Sequence, residues 1–227
     1  MKNVAVIPAR GGSKRIPQKN IRDFCGKPMI AWSIAAAQAS GCFDDIIVST
    51  DDPKTSAVAE SFGARVPFVR PPELSDDFTP TTPVIKHATE WCLENLTGVT
   101  HVCCIYATAP FLTAEYLSRG LEVLTASDSD YAFSVTSYAF PIQRALRLDD
   151  KNRTEMFNPE YFSIRSQDLE VSWHDAGQFY WGTADAWIEE RPIFSTWSKA
   201  VILPRHRVQD IDTWEDWEFA ERIFKAL

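Results

Sequence analysis

The chain lacks three things that would each have assigned it to a class. Its 227 residues contain no run approaching the 18 apolar residues of a membrane-spanning helix. The apolar stretch before Pro8 is four residues long, too short for the core of a secretory signal. Its five cysteines (Cys25, Cys42, Cys92, Cys103 and Cys104) are odd in number and show no C-x-x-C spacing. A disulfide framework and a zinc ribbon therefore have no support, and buried reduced thiols in a cytoplasmic protein are expected. Positive charge is also in deficit: 23 Lys and Arg stand against 31 Asp and Glu, for a net charge of −8. Such a chain is a poor binder of nucleic acid or of a membrane surface, and neither is expected as a partner. The P-loop pattern, G-x-G-x-x-G, G-x-S-x-G and H-E-x-x-H are all missing, as are repeats and low-complexity tracts.

What is present reads as an ordinary globular domain. Hydrophobic residues make up 45% and charged residues 24%. At about 150 residues per domain the length suits one or two. Short apolar runs at Val4–Ala9, Ile46–Thr50, Val66–Val69, Val102–Tyr106 and Tyr131–Val135 read as buried strands. Between them, residues 28–39, 53–62, 82–95 and 113–126 have helical character, with Gly41 and Gly63 as stops. Alternation of this kind predicts an α/β fold: a mainly parallel sheet with helices on both faces. The rhythm breaks over about 138–175, read as a small inserted flap of hairpins. It resumes with Phe179–Trp181, a helix near 183–190, a strand at 200–203 and a helix at 213–226. A single domain spanning 1–227 is the economical organisation.

Charge is unevenly placed. Residues 1–27 hold seven cations against Asp23, a surplus of +6, so the remaining 200 residues carry −14. Most of the island lies in Arg10-Gly11-Gly12-Ser13-Lys14-Arg15-Ile16-Pro17-Gln18-Lys19-Asn20, directly after the first strand. Ligands of open α/β sheets sit beyond the carboxyl ends of the strands. Paired glycines let backbone N–H groups approach an anion as a nest. Arg10, Lys14, Arg15 and Lys19 would then surround an oligophosphate, although a solvated basic turn would look the same. Near the other end, Asp210 and Asp212 are spaced i, i+2, which in extended backbone puts two hard oxygen ligands on one face. That suits Mg²⁺. It equally suits a helix cap, with Asp212 as the N-cap.

The Ala9–Asn20 run resembles the N-terminal signature of the CMP-sialic acid synthetase (acylneuraminate cytidylyltransferase) family. Cys25-Gly26-Lys27-Pro28-Met29-Ile30-Ala31-Trp32-Ser33-Ile34, Ile47-Val48-Ser49-Thr50-Asp51-Asp52 and Gln209-Asp210-Ile211-Asp212-Thr213 are similar to it as well, in order along nearly the whole chain. Trp173-His174-Asp175-Ala176-Gly177-Gln178-Phe179-Tyr180-Trp181-Gly182 resembles the branch that acts on pseudaminic acid. The resemblance implies a Rossmann-like nucleotide-diphospho-sugar transferase fold. It implies a Mg²⁺-dependent nucleotidyltransferase that joins CTP to a nonulosonic acid, giving a CMP-sugar such as CMP-pseudaminic acid and pyrophosphate. It also implies a homodimer built partly on the flap.

By the same resemblance, Arg10, Lys19, Asp210 and Asp212 carry the catalysis, and the two aspartates bind the metal. Ala9, Arg10, Gly11, Gly12, Ser13, Lys14, Asn20, Thr81 and Thr82 contact the nucleotide, the two threonines alternatively serving as helix caps. Tyr106, Arg165, Gln167, Asp175 and Gln178 meet the sugar acid. His174 beside Asp175 need not form a catalytic dyad, since neighbours on a strand point to opposite faces. Tyr106 stands where many sialic acid synthetases carry a polar Gln, which favours a less polar, deoxygenated sugar over N-acetylneuraminate. Legionaminate and keto-deoxy-octulosonate are alternatives within the class. Outside it stand a nucleotide-sugar glycosyltransferase, whose D-x-D lies mid-chain, and a non-catalytic nucleotide-binding module.

Overall fold

In the computed structural model, which describes residues 1–227, six strands form one twisted sheet in the order β10-β6-β9-β5-β1-β4. The elements run β1 (Lys2–Pro8), β2 (Asp23–Phe24), β3 (Lys27–Pro28), α1 (Met29–Ser40), β4 (Asp45–Ser49), α2 (Pro53–Ser61), α3 (Thr81–Asn95) and β5 (Val99–Ile105). They continue with α4 (Ala114–Thr125), β6 (Tyr131–Ser137), β7 (Leu146–Leu148), β8 (Thr154–Met156), β9 (Trp173–Thr183), α5 (Ala184–Ile188), β10 (Ser198–Ile202) and α6 (Trp214–Ala226). β4, β1 and β5 are parallel neighbours, as are β6 and β10. The α/β expectation holds, and the sheet is mainly parallel.

The alternation of β1 shows how the layers arise. Ala5 and Ile7 pack on one face with Ile30 and Ile34 of α1, Ala59 of α2 and Leu117 and Leu124 of α4. Val4 and Val6 pack on the other with Ile85, Ala88 and Cys92 of α3 and Trp187 of α5. Both faces of the sheet are thereby covered, as strands buried on both sides require. α6 sits apart from these layers. Its Trp217 and Ala220 join Phe24, Met29 and Ile211 in a separate apolar group, fastening the end of the chain to the segment after the first strand.

Three expectations need correction. Val66–Val69 is not a strand. Only isolated bridges form there, Arg65 to Ile47 and Val69 to Thr50, because Pro67 has no N–H to continue a ladder. Phe179–Trp181 is the centre of an eleven-residue strand, β9, which runs antiparallel between β5 and β6. The third concerns α6, whose N-cap is Thr213 and not Asp212. The Thr213 hydroxyl accepts from the Asp216 N–H, while the Asp216 carboxylate accepts from the Thr213 N–H at 2.8 Å. This reciprocal box frees the Asp212 side chain.

The excursion between β6 and β9 contains the β7–β8 hairpin and three single-turn 3₁₀ segments. It leaves large apolar side chains in solvent: Phe140 is 83% exposed and Phe162 74%. No helix of the chain is long and apolar enough to cross a membrane.

Candidate active site

The β1 strand ends at Pro8, and the loop after it wraps one wall of a cavity of about 470 Å³. Gly11 is there for lack of space: a Cβ would stand 2.7 Å from the Cβ of Asp52. That closeness lets the Gly11 N–H donate to Asp51 Oδ1 at 2.9 Å, pinning the loop to the end of β4. Gln18 takes the left-handed conformation (φ 55°) and starts the 3₁₀ turn Lys19–Ile21. Asn20 is buried, and its Nδ2 donates to the Arg10 carbonyl at 3.0 Å, closing the loop on itself.

Five cations line the cavity, Arg10, Lys14, Arg15, Lys19 and Arg70, against three carboxylates, Asp76, Asp77 and Asp212. Asp77 and Asp212 pair with these cations, while the Asp76 carboxylate accepts from Phe78 and Thr79 in its own loop. Arg10 Nη1 donates to the Asp76 carbonyl and to Asp77 Oδ1, both at 2.6 Å, and Lys14 also pairs with Asp77. Lys14 first and Arg10 second hold the Asp77 carboxyl below the usual carboxylate range. On the other side Lys19 Nζ donates to the Ile211 carbonyl at 2.6 Å and to Asp212 Oδ1 at 3.2 Å, and Arg15 pairs with Asp212 Oδ2 at 3.0 Å. The first loop is thus tied to a segment 192 residues later in the chain.

Sequence reasoning placed Arg10, Ser13, Lys14, Lys19, Asn20, Thr81, Tyr106 and Asp212 at a site, and all eight line this one cavity. Ala9, Gly11 and Gly12 supply the backbone of the loop, and Thr82 follows Thr81 at the start of α3, where neither threonine serves as a side-chain cap. Asp210 is not in the lining. It stands near Asp212, and its carboxyl is raised, first by desolvation and then by that neighbouring charge.

The remaining residues fall elsewhere. Gln178 is buried, with Nε2 donating to the Arg207 carbonyl and Oε1 unpartnered. Asp175 bonds Tyr180 and Gly177. Arg165 and Gln167 lie on the excursion, where Arg165 pairs bidentately with Asp168 at 2.7 and 3.1 Å. His174 bonds the carbonyl of Asp175, not its carboxylate, so there is no dyad.

Arg70 was missed. It is 4% exposed, its Nε donates to Ser49 Oγ at 3.1 Å, and another nitrogen reaches the Ser49 carbonyl. Burial pushes its guanidinium down to about 10, against the opposing pull of Asp51. The signal for it was the cation closing the Val66–Val69 run. Asp77, in the loop before α3, had no sequence signal.

A cavity with surplus positive charge, beyond the carboxyl ends of β1 and β5 in a mainly parallel sheet, is where such folds bind anionic ligands. Solved structures with this fold include CMP:2-keto-3-deoxy-manno-octonic acid synthetase complexed with CTP, at TM-score 0.72 and 17% identity, covering 100% of this chain and 99% of that one. Residues 4–207 match the family model described as Cytidylyltransferase, and the chain belongs to that family. Over 226 residues it is 47% identical to the pseudaminic acid cytidylyltransferase of Campylobacter jejuni subsp. jejuni serotype O:2, covering 100% of this chain and 97% of the relative. It is 31% identical to the CMP-N,N'-diacetyllegionaminic acid synthase of Legionella pneumophila subsp. pneumophila, covering 99% and 97%. The protein is a nucleotidyltransferase acting with CTP.

Proposed function

We propose that this chain makes CMP-pseudaminic acid and pyrophosphate from CTP and pseudaminic acid. The observation that carries the reading is 47% identity across the full chain to an enzyme named for that sugar acid. The cavity supports it, because its five cations suit a triphosphate. In the reaction the anomeric hydroxyl oxygen attacks the α-phosphorus, that hydroxyl gives up its proton, and the bond to the β-phosphate oxygen breaks. Little covalent chemistry falls to the protein; positioning and charge neutralisation dominate. Arg10, Lys14 and Lys19, with the N–H of Gly12, hold the triphosphate and stabilise the departing pyrophosphate, while the Ser13 N–H donates to the Gly11 carbonyl at 3.0 Å and shapes the turn. Thr81, Thr82 and Ala9 border the nucleoside.

Asp210 and Asp212 fit a magnesium ion. Two hard carboxylates at i, i+2 suit an ion that fills its other positions with water and phosphate. The Asp210 carboxyl is raised first by desolvation and then by the charge of Asp212, and a cation there would offset both. When bound, Mg²⁺ supplies positive charge at the α-phosphate.

The exposed apolar side chains of the excursion, Phe140 and Phe162 among them, form the contact between two subunits. Arg165 and Gln167, which do not line this chain's own cavity, reach the sugar acid across it. The free cysteines fit a reducing cytoplasm. The deciding experiment is product identification by mass spectrometry after incubation with CTP, Mg²⁺ and, separately, pseudaminic, legionaminic, N-acetylneuraminic and keto-deoxy-octulosonic acids. CMP-pseudaminic acid as the main product sustains the reading; preference for another acid, or no product from any, refutes it.

A further inference from the structure

β9 carries a distortion that the sheet itself does not need. Phe133 of β6 pairs with Tyr180, and Val135 pairs with Asp175, so Ala176–Phe179 all stand opposite Ser134. Gly177 supplies a left-handed turn (φ 60°). Ser134 Oγ stitches the bulge by accepting from the N–H groups of Gln178 at 3.3 Å and Phe179 at 3.2 Å. The Gln178 carbonyl in turn accepts from the N–H of Tyr106, just past the end of β5, at 2.9 Å. Bulges re-aim side chains beside active sites. The side chain at the centre of this one is Gln178.

The Gln178 amide uses half of its capacity. It is 3% exposed and does not line the cavity. Its Nε2 donates to the Arg207 carbonyl, and its buried Oε1 has no partner. A backbone carbonyl only accepts, which fixes the amide's orientation: exchanging O and N would set two oxygens together. A buried amide with an unmet acceptor costs free energy that methionine or leucine of similar size would not incur. What those residues lack is the Nε2 donor. Its target leads into the acidic pair: Arg207 precedes Asp210 by three residues, at most about 11 Å of extended chain. Upstream, the sheet holds this segment at Leu203, whose N–H donates to the Val135 carbonyl at 2.8 Å and whose carbonyl accepts from Thr136 Oγ1 at 2.9 Å. Downstream, Lys19 holds it at Ile211. Gln178 ties it to the sheet between those points.

We propose that Gln178 is a positioning residue which, without touching substrate, sets where the Asp210–Asp212 segment stands beside the cavity and so tunes its affinity for a divalent cation. The inference rests on the magnesium site proposed above. It replaces the sugar contact expected of Gln178 from the sequence with a role two steps away from the phosphates.

The test is Gln178→Met, which keeps the volume and removes the donor. Beside it stands Thr136→Val, which removes the side-chain tie at Leu203 and leaves the one at Arg207. Mn²⁺ binding to the protein alone is read from the electron paramagnetic resonance of the free ion, with Asp212→Asn as the blank. Tm and the KM of each substrate are measured alongside. Gln178→Met should weaken Mn²⁺ binding about fivefold, the worth of one net hydrogen bond devoted to ordering the segment. The Mg²⁺ concentration for half-maximal rate should rise by a similar factor, with the KM for the sugar acid unchanged. Tm should barely move, because Arg207 is half-buried and its carbonyl can take water instead. Thr136→Val should bind Mn²⁺ as the unmodified chain does. Unaltered Mn²⁺ affinity in Gln178→Met overturns the inference. So does a change confined to the KM of the sugar acid, which would make the residue a substrate contact, and so does equal weakening in both variants, which would mark general loosening. If Gln178→Met does not fold, Gln178→Leu repeats the test, and failure of both to fold overturns the inference, since the amide would then serve the fold. Absence of turnover with every sugar acid would sink the proposed reaction, and the Mn²⁺ comparison would still decide the inference. Mn²⁺ binding that is absent from the unmodified chain, or that survives Asp212→Asn, would remove the metal site and the inference with it.

Discussion

Lys19→Met separates the structural from the chemical work of one side chain. Lys19 is 18% exposed and ties the first loop to the segment before α6 through the Ile211 carbonyl and the Asp212 carboxylate. Methionine fills a similar volume but donates nothing, so both acceptors lose a charged partner. Arg15 still pairs with Asp212, so the carboxylate is not stranded. Hydrogen bonds to charged groups contribute about 1.5–3 kcal/mol, and the surviving partner places the loss near the lower end, about 2 kcal/mol. For a chain of this size that lowers Tm by roughly 4–8 °C. The catalytic loss should be larger. Removing one fixed donor from developing phosphate charge typically costs about 10²–10³ in kcat, and kcat/KM for CTP should fall at least as far. The assay is continuous pyrophosphate release with CTP varied at saturating sugar acid, well below the variant's Tm, beside a thermal melt. Lys19→Arg should recover part of the activity. Near-normal turnover by folded Lys19→Met would refute the role. So would a rate deficit equal to the unfolded fraction, because the residue would then be only a tie.

Other perturbations probe the frame. Gly120→Ala should destabilise by about 1–3 kcal/mol in urea titrations, because its Cβ would meet buried Trp181 Cδ1 at 2.6 Å and Phe179 Cε2 at 2.7 Å. Thr213→Ala removes the cap of α6 and should cost about 1 kcal/mol, read from chemical denaturation. The Thr213 hydroxyl is the main cause of the lowered Asp216 carboxyl. A depressed folded value stabilises above the ordinary carboxylate range and is lost as pH falls through the depressed one. The variant should therefore show a smaller drop in stability between neutral pH and about pH 3. Phe162→Glu, at a side chain 74% exposed, should convert the proposed dimer to monomer in sedimentation with little change in Tm; an unaltered sedimentation coefficient would remove that face from the proposed interface.

Periodicity made most of the layering legible. β1 alternates between two apolar layers, and helices bounded by Gly41 and Gly63 fall within a residue or two of the expected limits. What failed was information that no local pattern carries. Antiparallel insertion of β9 between β5 and β6 depends on a pairing partner some fifty residues earlier, and the apolar stretch Phe179–Trp181 reads the same in either direction. The bulge hid the length of the strand, since Asp175-Ala176-Gly177-Gln178 has the composition of a turn. Pro67 was visible, but an apolar, β-branched run outweighed the one missing donor. At the site, the basic loop was legible because glycines and cations cluster within eleven residues. Arg70 and Asp77 come from the α2–α3 connection, far from the basic loop in sequence, and acquire their roles only in three dimensions.

The N-terminal surplus of positive charge is therefore not bare. Asp77 occupies Arg10 and Lys14, and Asp212 occupies Arg15 and Lys19, so every cation of the loop has a carboxylate partner before substrate arrives. The pairs of Arg10, Lys14 and Arg15 lie near the surface, where such pairs are typically worth about 0.2–1 kcal/mol and are exchanged at little cost, whereas that of Lys19 is more buried. A triphosphate offers the same cations more charge at higher density. A magnesium ion at Asp212 would compete with Lys19 and Arg15 for that carboxylate and release them toward the phosphates. The acidic character of the rest of the chain thus has a local use at two positions. Those carboxylates hold the basic loop in register, and on the proposed reading a triphosphate would replace them as partners of its cations.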